Sequence, residues 1–466
     1  MTRVPPVLGS VRELGTVTLV AGLSGCYAAT LIMTSSILAS ISSTQGDGDV
    51  AMLLGIVSPV FIGIALYVAA VVITGCVTTV IAGRLQHIAL LRLLGADGLG
   101  LRRSVRRSTA RAGAIGACLG VLAGVLLTDV VRVVLVHRGA LPDLPYRWAV
   151  PLLALPIAAV ALCSVGAGWI GSRAVLHVAP VQALSAVQAQ VDPARRTTVV
   201  RAALTVTLIG AGVVLLMMAV ALGDRMSTSG FLCAFLGAAV SGTGVIVGAR
   251  FLIPWVVTAL GRLLGGGPPS LIARRNAVAD PSRTTRSTIG LIVGVVLITT
   301  IASGMSALRA AMDAASGLSA AQRHHTDQVM AIITAVLVCL VVISSIIAAV
   351  GFVSTMSLTV IQRRREIGLL RSLGFTAVQV RAMITRESIA LSATAVILGA
   401  AIGVVYGSVG AQSLVGAMSS GFVWGVPWVA LAAVAVAGGA LVLVASRPPA
   451  RRAVSVPPVV ALRATD

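Results

Sequence analysis

Runs of twenty or more apolar residues recur along the whole chain, and each is long enough to cross a bilayer core as a helix. Ten stretches meet that length: about 14–41, 51–81, 112–136, 149–171, 202–222, 230–253, 288–308, 329–360, 388–410 and 427–445. Backbone inside lipid must satisfy its own hydrogen bonds, so such runs specify helices. The 466 residues are 57% hydrophobic and only 11% charged, with a mean hydropathy of +1.02. A water-soluble domain carries about 25% charged residues. The predicted class is therefore an all-α polytopic membrane protein with about ten transmembrane helices. The first stretch, nearly 28 residues of apolar character, is too long for a signal peptide and is read as an uncleaved anchor. Residues 251–264, with Pro254 and Arg262, either continue the sixth span or lie along the membrane surface.

All 35 residues counted as Lys or Arg are arginine. A phosphate-binding Walker loop needs its lysine, as does Schiff-base chemistry, so neither is expected here. The six cysteines, Cys26, Cys76, Cys118, Cys163, Cys233 and Cys339, stand far apart inside apolar runs. They suggest neither a zinc site nor a disulfide framework. Placing the N-terminus inside puts 28 arginines in the inner segments 1–13, 82–111, 172–201, 261–287, 361–387 and 446–466. The outer side then holds only Arg132, Arg138, Arg147, Arg225, Arg309 and Arg323, with Arg250 near an inner helix end. The positive-inside rule selects that orientation, with both termini cytoplasmic in a plasma membrane. The formal charge of +21 is then a cytoplasmic property, suited to inner-leaflet lipid and a partner protein rather than to nucleic acid.

The chain repeats itself. Arg84-Leu-Gln-His-Ile88-Ala-Leu-Leu91-Arg92-Leu-Leu-Gly95 returns as Arg363-Arg-Arg365-Glu366-Ile367-Gly-Leu-Leu370-Arg371-Ser-Leu-Gly374, at an offset of 279. The same offset pairs Arg102 with Arg381, Arg107 with Arg386, Gly120 with Gly399 and Gly124 with Gly403. A closing Pro-Val-x-Ala-Leu occurs at Pro180 and again at Pro458. The layout is a four-span repeat in 1–200, two linking spans in 201–270 and a second four-span repeat in 271–466. Six intervening spans make the two copies parallel, related by an axis along the membrane normal.

In the second copy, residues 365–375 have helical spacing, with Ile367, Leu370 and Leu373 roughly on one side and Leu369 beside them. Glu366 opens the segment, where a carboxylate suits the dipole, and Gly374 stops it. The first copy has the same pattern, with Gly95 as stop and His87 in place of Glu366. A short amphipathic helix between membrane helices can anchor in headgroups. Two copies in equivalent loops suit docking of a dimeric soluble partner.

Glycines recur at four-residue spacing in the third span (Gly116, Gly120, Gly124, after Gly113) and the ninth (Gly399, Gly403, Gly407, then Gly410). Such rows let helix backbones approach closely. Asp129 and Arg132, three apart near an outer helix end, read as an interfacial ion pair or a substrate contact. Arg250 reads as a snorkelling side chain or a gating residue. Glu387, taken as standing at the N-terminal mouth of the ninth span, suits the helix dipole there. His324-His325 lacks a third ligand, and no nucleophile–base set, carboxylate pair or metal cluster stands out, so a membrane-embedded enzyme is not indicated.

The segment Arg363-Arg-Arg-Glu-Ile-Gly-Leu-Leu-Arg-Ser-Leu-Gly-Phe375 resembles the coupling-helix region of the FtsX/MacB family of ABC-transporter permeases. The terminal Arg452…Pro458-Val-Val-Ala-Leu-Arg463 is similar to that family's end motif. Leu271-Ile-Ala-Arg-Arg-Asn276…Pro281-Ser-Arg-Thr-Thr-Arg286 is similar to its basic lead-in to a repeat. The four–two–four order resembles the BceB-like duplicated permeases. The resemblance implies a bacterial inner-membrane permease subunit moved by a separate cytoplasmic ATPase dimer. ATP and magnesium would bind that partner, with no cofactor in this chain. Arg84, Ile88, Leu91, Arg92 and Gly95, and Arg363, Arg365, Glu366, Ile367, Leu370, Arg371 and Gly374, would then form the ATPase-coupling segments. Related permeases carry a large extracytoplasmic domain, whereas the corresponding outer connections here, 42–50 and 310–328, are too short for one. Either the substrate comes from the membrane itself, or an additional extracytoplasmic or membrane subunit supplies the outer part. Export or extraction of an amphipathic peptide or lipid-like substrate is the transport reading. The rival is ATPase-driven signalling or scaffolding that controls a kinase or cell-wall enzyme without transport.

Overall fold

The computed structural model describes residues 11–45, 153–176, 195–225, 229–261, 281–314 and 371–416, with Leu369. It also describes 421–440 apart from 438, 88–137 apart from 89, 92 and 96, and scattered positions in 59–81. Among these residues there is no strand. Seven helices are long and apolar enough to cross a membrane by length and composition. They are α1 (Val11–Gln45), α2 (Gly98–His137), α3 (Ala154–Leu176), α4 (Arg195–Gly223), α5 (Ser229–Gly261), α6 (Pro281–Ala314) and α7 (Ala377–Val415). Shorter apolar helices lie at Ile62–Gly75 and Trp428–Ala437. The expected span at 329–360 lies outside the described residues.

Several helices outrun their apolar stretches. α2 begins at Gly98 rather than near 112, and α7 at Ala377 rather than near 388. Hydropathy measures what lipid can cover, whereas a helix runs until its cap. α5 passes through Arg250 and Pro254 to Gly261, so 251–261 continues the sixth span. Pro254 cannot donate to the Arg250 carbonyl four residues back.

The residues group into two compact units. The described part of the first holds α1, α2, α3, residues 59–97 and the start of α5. In it α1 and α2 meet backbone to backbone. A Cβ on Gly116 would fall on the Thr18 carbonyl oxygen, and one on Gly120 on that of Gly22. One on Gly124 would lie 2.6 Å from the Cys26 oxygen, and one on Gly25 2.9 Å from that of Ala117. α3 closes on the other side of α2, with Gly113 against Ser164 and Gly168 3.2 Å from the Thr109 Cβ by the same measure.

The second unit holds α4, α6, α7 and most of α5, so the linking helices cluster with the second repeat. α6 and α7 repeat the α1–α2 arrangement: Gly403 abuts Thr299, and a Cβ on Gly407 would fall on the Thr300 carbonyl oxygen. Gly410 has nothing within 4 Å, so that member of the expected row lies off the contact. Ala249, Ile253 and Val257 of α5, Leu291, Ile292 and Val295 of α6, and Ala390, Leu391 and Ala395 of α7 build a shared core. The Tyr406 and Ser241 hydroxyls, 2.6 Å apart, join α7 to α5.

Hydroxyls in these helices mostly bond the carbonyl one turn back. Ser24, Thr128, Ser164, Thr288 and Thr394 each do so, which removes the cost of an unpaired donor. Ser303 bonds across instead. Its hydroxyl faces the Gly425 carbonyl at 2.5 Å, with Val404 O and Ser408 Oγ as alternative partners, while Gly425 N–H donates to Ser408 Oγ at 3.1 Å. These bonds pin the segment after α7 to α6. Ser303→Ala should cost about 1–3 kcal/mol, because the buried Gly425 carbonyl loses its partner. Hydrogen exchange should show faster opening of 421–427 with α1–α3 unaffected.

Candidate functional site

The repeated segment forms the same corner twice. In the first copy Leu94 N–H donates to Leu90 O at 3.0 Å, and in the second Leu373 N–H donates to Leu369 O at 3.0 Å. The helical residues of each copy then end on a left-handed glycine, Gly95 at φ +92° and Gly374 at φ +97°. Two residues later a polar side chain caps the next long helix. Asp97 Oδ2 accepts from Gly100 N at 3.2 Å ahead of α2. Thr376 Oγ1 accepts from Gln379 N at 3.3 Å, and Gln379 Oε1 from Thr376 N at 2.9 Å, a capping box ahead of α7. Asp97 and Thr376 are themselves 279 apart. Helical residues, a left-handed glycine and a cap thus follow one another within a few residues in both copies.

Neither corner glycine has an atom within 4 Å of where its Cβ would be, so conformation alone demands glycine there. Gly95→Ala and Gly374→Ala should each cost about 1–3 kcal/mol through left-handed strain. Asparagine tolerates that conformation and should recover much of the loss. Thermal unfolding of the purified variants, ranked Gly, Asn, Ala, checks this.

The described side chains ahead of each glycine differ in burial. Ile88 is fully buried within its unit and Leu91 is half-buried, so these two anchor the corner. The leucines turned outward are Leu90, Leu93 and Leu94 in the first copy and Leu369 and Leu373 in the second. Leu94 is 84% and Leu373 72% exposed, and these two occupy equivalent positions. Arg371 is half-buried. Arg84, Arg92, Arg363, Arg365, Glu366, Ile367 and Leu370 lie outside the described residues. Leu90 and Leu94 were missed as candidates; their four-residue spacing marks them as sharing one face, but not as exposed.

Asp129 and Arg132 form the expected pair on α2: Arg132 Nη2 lies 2.7 Å and Nε 3.0 Å from Asp129 Oδ1. Both remain partly exposed. Arg250 is half-buried within α5. Glu387 corrects an expectation. It stands well inside α7, 7% exposed, because the Thr376 box starts that helix at Ala377; it is not a helix-mouth carboxylate. No group of three or more His, Cys, Asp or Glu able to hold a metal occurs among the described residues.

Seven long apolar helices and two copies of one corner among the described residues, with no strand there, define a multi-pass membrane protein of duplicated build. Residues 59–180 and 328–458 both match the FtsX-like permease C-terminal family. The two segments cover about half of the chain, and shifting the first by 279 residues places it on 338–459. The chain belongs to the FtsX-like permease family, as a duplicated member. Comparison with curated proteins gave no match.

Proposed function

We propose that this chain is the transmembrane subunit of an ABC transporter, coupling a separate cytoplasmic ATPase to export or membrane extraction of an amphipathic peptide or lipid-like substrate. It spans a bacterial inner membrane ten times, with both termini cytoplasmic. ATP and magnesium act on the partner. The observation that carries the reading is the pair of equivalent corners, each offering exposed leucine beside a left-handed glycine. An apolar side chain held outward on a capped, rigid corner is suited to a pocket in a partner. Two such corners in one chain suit the two subunits of an ATPase dimer. The pocket is expected to be apolar with a carboxylate rim, complementary to Arg92 and Arg371.

Co-expression with candidate ABC ATPases, followed by purification through a tag on this chain, tests the reading. A stable complex whose ATP turnover rises on assembly is expected. An ATPase that neither co-purifies nor changes its turnover would contradict it. Flux of candidate peptides or lipids in proteoliposomes then separates transport from signalling.

A further inference from the structure

Beyond the corners, α2 carries a second surface. Arg103, Arg107, Arg111, Ile115 and Leu119 form one row at four-residue spacing, and every side chain in it is exposed. Arg106 is exposed beside them. The opposite row, Leu101, Val105, Thr109, Ala112, Gly116 and Gly120, is buried against α1 and α3. Past Ile115 the exposed face continues as Leu119, Leu122 and Leu126, which in a membrane protein is the lipid-facing side. The arginines therefore look the same way as the exposed apolar side chains further along α2. Arg111 and Ile115 are separated by about 6 Å of helix rise, close to the thickness of one headgroup layer.

Two comparisons sharpen this. Arg102, on another side of the helix, is held within the unit: its Nε donates to Ser172 Oγ at 3.3 Å, and its guanidinium lies 5.7 Å from the Trp169 ring centre. The four ridge arginines have no such bond or ion pair to any described residue. In the second copy the equivalent positions are Ala382, Thr385, Arg386 and Ala390, a single arginine in place of four. The fold and the corner are thus built without the ridge.

We infer that Arg103, Arg106, Arg107 and Arg111 bind the phosphate headgroups of anionic phospholipid in the cytoplasmic leaflet. A guanidinium fork matches two phosphate oxygens, and the anionic leaflet supplies the complementary charge. The inference takes the basic end of α2 as cytoplasmic. It concerns this chain and lipid alone, so it stands or falls separately from ATPase docking.

The full chain, in nanodiscs of phosphatidylcholine with and without phosphatidylglycerol, provides the test, with retained lipid counted by native mass spectrometry. Each arginine near an anionic surface contributes about fivefold in preference. R103Q/R106Q/R107Q/R111Q should lower phosphatidylglycerol retention at least tenfold, and the matching lysine variant should keep most of it. If the quadruple variant does not fold, R103Q/R107Q should still show a several-fold loss. A folded glutamine variant with undiminished phosphatidylglycerol preference would overturn the inference. So would one that keeps that preference but no longer binds the ATPase, which would assign the ridge to protein.

Discussion

Replacing Leu94 and Leu373 together by arginine is expected to lower affinity for the cytoplasmic ATPase at least a hundredfold while leaving the chain folded. Both side chains stand largely in solvent, at 84% and 72% exposure, so neither contributes much to its own unit. Burying a leucine in a partner contributes about 1.5–3 kcal/mol, and two lost together give about 3–6 kcal/mol. Arginine adds the cost of taking a charge into an apolar pocket. Each single variant should lose about tenfold or more, since under the proposed coupling each corner would meet a different ATPase subunit. Binding of purified ATPase to the chain in nanodiscs measures this, with thermal unfolding as the control. Equal affinity for the double variant and the parent would remove the corners from the docking surface.

The second large effect concerns the helix crossings. Gly120→Val and Gly407→Val should each prevent recovery of folded protein. A side chain at Gly120 would strike the Gly22 carbonyl oxygen, and one at Gly407 that of Thr300. Both obstacles are backbone, so no rotamer change relieves them, and one helix must move off the other. Overpacking costs about 1–3 kcal/mol where side chains can adjust, and these sites lie at or above the top of that range. Gly410→Ala is the internal control. It lies three residues beyond Gly407 on α7 but has open space, so it should be neutral or stabilising by about 0.5–1 kcal/mol. Thermal unfolding and recovered yield in detergent distinguish the outcomes. Wild-type yield and stability for Gly120→Val would show that the crossing is loose.

Much of this architecture was legible in the sequence because it rests on local chemistry. Apolar runs fixed the helical membrane class, and glycine at 95 and 374 fixed the ends of the repeated helix. The same 279-residue offset also pairs Ser24-Gly25 with Ser303-Gly304 and Ala28 with Ala307, linking α1 to α6 as equivalent helices. That match was present in the sequence but sits in apolar runs, where small residues look alike. Thr376 and Gln379 carried a readable capping signature, yet hydropathy places the start of the ninth span about eleven residues after that of the helix. Glu387 was misplaced for that reason. Which leucines face outward was not legible. Periodicity groups Ile88 with Leu91, but only the packing of the unit decides whether that face or the Leu90–Leu94 face is covered.

Photo-crosslinking from positions 94 and 373, in membranes holding the chain and the ATPase that co-purifies with it, tests the central claim most directly. Adducts joining this chain to the ATPase should form at both positions and should be absent from exposed Leu122, within the apolar part of α2. Adducts to phospholipid alone at both positions, with the ATPase present and active, would contradict the account.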